Sequence, residues 1–170
     1  MPIIVKDNRR EFTPAPEGLH QAVCVDVIDL GIQPSPWGDK QKIEIRWQLD
    51  QIDEETGKRF MVMSRYTTSL NEKANLRKHL EAWRGKKFTK EELDGFDVEK
   101  LLGVNCQLQV IHNLSDNGGT FANVQAIVPL GKGMVKIRPS EDYVRMVNRD
   151  PKSGTTATAG APGDEDEAPF

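Results

Sequence analysis

Positive charges and flat aromatic rings are the chemistry-bearing residues of this chain, and they gather where an extended, half-exposed segment is expected. In "KIEIRWQLD" the residues alternate, so that Lys42 and Arg46 share one face while Ile43, Ile45, Trp47 and Leu49 share the other. Lys40 precedes them, and Arg59 and Arg65 in "KRFMVMSRYTTSL" continue the cationic row on the next extended segment. Guanidinium and ammonium groups in such a row can follow a phosphate backbone, and rings beside them can stack on unpaired bases. Two aromatic residues are candidates for that stacking. Trp37 sits in the loop "QPSPWGDKQ", where it either overhangs a binding face or anchors the loop on the rim. Tyr66, beside Arg65, is open to the same two readings. Trp47 and Trp83 fall on apolar stripes and are assigned to the core.

The C-terminus carries a second kind of chemistry. "GDEDEAPF" ends in four consecutive carboxylates, Asp164, Glu165, Asp166 and Glu167, followed by Ala168, Pro169 and Phe170. The twenty residues from Pro151 hold one aromatic and no branched aliphatic side chain, too little apolar surface to offset chain ordering. A terminal aromatic can enter an apolar pocket while its own α-carboxylate meets a cation at the rim. Residues 151–170 contain one lysine and four acids, so the body carries 22 basic and 22 acidic residues and is neutral. A neutral body still binds a polyanion when its positive charges share a face.

Enzyme chemistry finds little support. Gly131 and Gly133 lack the surroundings of a phosphate-binding loop, and His20, His79 and His112 are isolated from one another. Asp26, Asp29, Asp50 and Asp53 are the set a nuclease would draw on, and turn or surface acids are the commoner explanation. Cys24 and Cys106 form no C-x-x-C pair and read as reduced, buried strand thiols. No metal or cofactor is expected. With no charged-then-apolar leader and no apolar run of membrane-spanning length, the expected location is the cytoplasm.

The elements that would position these residues follow from periodicity. Residues 1–18 are a proline-punctuated arm ending in "TPAPEG". "LHQAVCVDVIDLGIQ" predicts a strand with Val23, Val25 and Val27 on one face and Cys24, Asp26 and Ile28 on the other, bent at Gly31. Two further strands precede a helical insert from Asn71, where Leu76, Leu80 and Trp83 stand at i, i+4 and i+7 and Gly85 is a stop. On the helical surface, Lys73, Arg77 and Arg84 form a secondary basic face. "TKEE" is a capping box for a second short helix, and a further helical turn follows Asp97. "VNCQLQVIH" and "TFANVQAIV" close the set, the latter with Ala122, Val124, Ala126 and Val128 inward. Three strands, a helical insert and two strands is the order of a five-stranded OB-fold barrel, an order that small barrels of other topology can share. The predicted organisation is an arm (1–18), an OB-fold domain (19–130), a basic linker or short helix (131–150) and a disordered acidic tail (151–170).

A barrel of this order joined through "KSGTTATAGAPG" to an acidic Pro-Phe tip resembles single-stranded DNA-binding proteins of bacteria and phages. "TPAPEGLHQAVCVDVIDLG" and "SLNEKANLRKHLEAWRGK" look more like the phage and mobile-element group. The resemblance implies a sequence-nonspecific single-stranded DNA-binding protein serving replication or recombination. It assigns docking of replication and repair enzymes to Asp164, Glu165, Asp166, Glu167, Pro169 and Phe170. A protein-binding adaptor that mimics such a tail is the competing expectation, and the edge strands of a small barrel leave homo-oligomer formation open.

Overall fold

A computed structural model describes residues 14–114 and 118–148. Its elements are β1 (Gly18–Gln33), β2 (Lys40–Ile52), β3 (Arg59–Thr67), α1 (Asn75–Arg84), α2 (Lys90–Asp94), a 3-10 turn (Val98–Leu101), β4 (Asn105–Leu114), β5 (Thr120–Val128) and a second 3-10 turn (Met146–Asn148). The strands form one antiparallel sheet in the order β3-β2-β1-β4-β5. β3 and β5, at opposite ends of that order, approach each other without sharing a ladder. The result is a mainly β, OB-like barrel that is not closed.

Strand β1 runs through both halves of the barrel because two bulges bend it. Its pairing with β2 shifts between Cys24 and Asp26, leaving Val25 over, and again between Asp29 and Gly31. Gly31 adopts a left-handed backbone (φ 69°), and its N–H donates to Asp29 Oδ1 at 2.8 Å, so the bend predicted at that glycine has a local lock. The first bulge corrects the simple alternation expected of β1. Cys24 and Val27 join the core, whereas Asp26 pairs across from Arg46 on the outward side, and Val23 and Val25 are buried outside the core cluster.

A comparable slip corrects β5. Its register against β4 shifts between Gln109 and Val110, which are opposite Ala126 and Val124, so Gln125 is the extra residue. Ile127 therefore points inward and is buried, and Val128, expected inside, is exposed. Ala122 and Val124 do pack against the core.

The helical insert plugs one end. Leu76, Leu80 and Trp83 of α1 are buried, the Trp83 ring lies 5.9 Å from that of Trp47, and its indole N–H donates to Asn105 O at 2.9 Å. The helix starts at Asn75 rather than Asn71 because the Asn71 side chain and carbonyl accept from the N–H groups of Lys73 and Ala74, forming a turn. Gly85 closes it in the left-handed conformation (φ 75°). The capping box at Thr89 and Glu92 opens α2, and the turn expected after Asp97 is the 3-10 turn at Val98–Leu101. Among the described residues no helix is long and apolar enough to cross a membrane.

Tyr66 and His79 bind β3 to α1: the hydroxyl and Nδ1 are 2.6 Å apart, and the rings meet edge to face. Burial holds the His79 imidazole below its ordinary value of 6.5, so the folded protein resists protonating it. Below that value the unfolded chain takes up the proton more readily, and stability is lost as pH falls. Urea denaturation is expected to show a midpoint that declines from about pH 7 to about pH 5, with a shallower decline for His79→Gln.

Candidate nucleic-acid interface

The outward side of β2 and β3 carries most of the cations singled out from the sequence. Lys42, Glu44, Arg46 and Gln48 alternate outward on β2, opposite Thr67, Arg65, Met63 and Met61 of β3. Trp37 stands at one end of this face, in the turn between β1 and β2. Its backbone N–H donates to Ser35 Oγ at 3.3 Å, and the residue is 86% exposed. It is therefore not packed on the barrel rim as a loop anchor. Lys40 is exposed at the start of β2, and Lys42 follows on the same side.

Glu44 organises the cations around it. Its carboxylate is buried, Arg46 Nε donates to Oε2 at 2.6 Å, and Arg65 Nε donates to Oε1 at 3.1 Å. Burial works against the charge of Arg46, but the hydrogen bond and charge of Glu44 outweigh it and raise its pKa. The Arg65 side chain remains 69% exposed and offers the more accessible fork.

The other half of this face is covered. Residues 137–148 cross it as a strap, anchored first by Asn105, which donates to Ile137 O and accepts from Ile137 N, both at 2.8 Å. Ser140 N donates to Gln48 Oε1 at 2.8 Å. The last anchor is Asp26, a buried carboxylate that accepts from Tyr143 Oη at 2.8 Å, Met146 N at 2.9 Å and Arg145 Nε at 3.2 Å. Burial, and then the bond to Asp26, push the Tyr143 hydroxyl up to about 12, so it stays protonated and donates. Tyr143 also interacts with Arg46. Arg65, Glu44, Arg46, Tyr143, Asp26 and Arg145 thus form one polar row from β3 to the strap. It holds three guanidiniums against two carboxylates, one net positive charge.

This arrangement corrects several expectations. Tyr66 is buried in the core rather than presented for stacking, because it stands opposite Ile43 on the inward side of β3. Arg59 is not a free cation in the row: it donates to Gln48 Oε1 at 3.0 Å, to Ser140 Oγ at 3.1 Å and to the carbonyl of Arg138, held by the strap at the far end of the hairpin. Burial lowers its pKa. The helical basic face is not assembled either, since Arg77 pairs with Glu81 and Arg84 is buried against Glu92 at 2.7 Å. Asp26, taken for a turn or surface acid, is an internal anchor. Of the stretch 131–150, expected as a basic linker or short helix, the described residues 131–148 are hydrogen-bonded to the sheet and include the short 3-10 turn at Met146–Asn148.

Lys40, Lys42 and Arg65 remain on the half that the strap does not cross, with the exposed Trp37 in the loop before them, and Arg46 stands at the border, 17% exposed and in contact with Tyr143. Periodicity did not identify Tyr143, Arg145 or the structural role of Glu44; the one available signal was an acid set among the valines of "VCVDV". Asp164, Glu165, Asp166, Glu167, Pro169 and Phe170 lie outside the described residues. Among those described, no group of three or more His, Cys, Asp or Glu side chains is placed to hold a metal ion.

The strap's attachment is directly testable. Tyr143→Phe leaves one acceptor position of a buried carboxylate unfilled and is expected to cost about 1 to 3 kcal/mol. Amide hydrogen exchange should accelerate across residues 140–148 while β2 stays protected. No protein-family model matches this chain, and no curated protein matches it significantly.

Proposed function

We propose that the protein binds single-stranded DNA without sequence choice on the uncovered half of the β2–β3 face and recruits replication or recombination enzymes through its acidic C-terminal tip. The observation that carries this reading is the exposed Trp37 in the loop that leads into Lys40 and Lys42 of β2, with the exposed Arg65 on the outward side of the neighbouring strand. A base stacks on the indole while the phosphates that flank it meet the cations of β2 and β3. Arg46 and Arg65 donate Nε to Glu44, which fixes the planes of their guanidinium forks without a large entropic loss on binding.

The strap sets the limits of the site. None of the described residues from 129 to 148 is buried, so the segment is held mainly by hydrogen bonds rather than by apolar packing. Arg59 meets a carbonyl and a hydroxyl there, neutral acceptors that a phosphate exceeds in strength. A long strand extending past Arg46 therefore competes with the strap for Arg59, whereas a short one occupies the Trp37 end alone.

Fluorescence anisotropy with labelled oligo-dT tests the reading. Binding should weaken as salt rises, Trp37→Ala should reduce affinity roughly 5- to 150-fold, and Lys42→Glu should reduce both affinity and salt dependence. Deleting residues 164–170 should leave or improve DNA affinity and abolish capture of replication enzymes. Absence of binding in dilute buffer would overturn the proposal and favour a protein-binding adaptor.

A further inference from the structure

The β2–β3 hairpin has ends of opposite character. Lys40 and Lys42 mark its open end, whereas Asp50 on β2 and Asp53, Glu54 and Glu55 in the turn before β3 mark the other. At that acidic end the strap and the hairpin enclose a groove of about 780 Å³. Gln48, Ile52, Arg59 and Met61 line it from the hairpin, and Asp142 and Val144 line it from the strap. Gln48 is only 5% exposed, and its Oε1 accepts from Ser140 N at 2.8 Å and from the Arg59 guanidinium at 3.0 Å. Those two donors identify the oxygen end of the amide. The hydrogens on Gln48 Nε2 have no acceptor among the described residues, and a polar group so enclosed calls for one.

We propose that this groove docks an extended basic segment of a partner protein, an apolar side chain flanked by Lys or Arg. A backbone carbonyl of the segment accepts from Gln48 Nε2, and the apolar side chain covers Ile52 and Val144, which are 56% and 49% exposed. Its cations meet Asp50 and Asp142, both exposed and both within electrostatic reach of Arg59. A peptide carries carbonyl, apolar and cationic groups at neighbouring positions, so one short stretch meets all three demands. Acidic occupants do not fit. Glu141 on the strap adds to the carboxylates already named, and Arg59 is already bonded to Gln48, Ser140 and the Arg138 carbonyl. That excess of negative charge disfavours the chain's own acidic C-terminal tip, and equally a run of phosphates, inside the groove. Docking here leaves the Trp37 end of the face open and does not depend on nucleic-acid binding there.

Nuclear magnetic resonance on the isotope-labelled full chain tests this with acetyl-Lys-Leu-Arg-Leu-Lys-amide and a counterpart bearing Glu in place of Lys and Arg. The basic peptide should shift the side-chain amide resonances of Gln48, and the acidic one should leave them in place. Added salt should weaken the effect. Asp142→Lys, a change at an exposed position, should lower affinity for the basic peptide roughly 3- to 10-fold. Gln48→Met should abolish binding; should that variant loosen the strap, Asp142→Lys decides. The proposal is overturned by Gln48 resonances that stay unmoved at millimolar basic peptide, by an equal response to both peptides, by full affinity in Asp142→Lys, or by a shift with oligo-dT and none with the basic peptide.

Discussion

The buried carboxylate of Asp26 constrains more of this molecule than any other single group. An ionised carboxylate removed from water without partners is strongly unfavourable, and taking one partner from a buried ion pair typically costs about 3 to 5 kcal/mol. Asp26 meets three donors, all from residues 143–146. The extra residue at Val25 is what turns this acid outward, onto the side where those donors lie. Bulge, acid and strap therefore form one unit: without the bulge the carboxylate would point into the apolar core, and without the strap it would have no counter-charge so close. The position of the strap in turn decides how much of the β2–β3 face is left open.

Glu44 shows the same logic in a different place. It interrupts a row of cations, and on electrostatic grounds alone it weakens the field that a polyanion would meet. Its carboxylate nevertheless gives two arginines from neighbouring strands a shared point of attachment. The long side chains are thereby fixed in direction before any ligand arrives. Net potential is exchanged for geometric order.

Much of the architecture was legible in the residues, because helix and strand repeat with different periods. The i, i+4, i+7 stripe of α1, the capping box of α2 and the bend at Gly31 are all local signals, and each corresponds to an observed element. Errors arose where one residue was inserted into a ladder. A bulge reverses inside and outside for everything beyond it, and alternation does not reveal where the reversal falls, as at Val25 and Gln125. The burial of Asp26 and Gln48 was hidden for a different reason. Part of their cover comes from a segment roughly a hundred residues further along the chain, which has no periodicity of its own. Tyr66 is the exception, since counting in twos from the buried Val62 places it inward.

The three tryptophans occupy opposite environments. Trp47 and Trp83 lie together in the core, shielded from solvent, while Trp37 is surrounded by water at the rim. Their intrinsic emission separates accordingly into a short-wavelength pair and a long-wavelength single ring. The protein thus carries a native optical reporter on the loop between β1 and β2, readable without any attached dye.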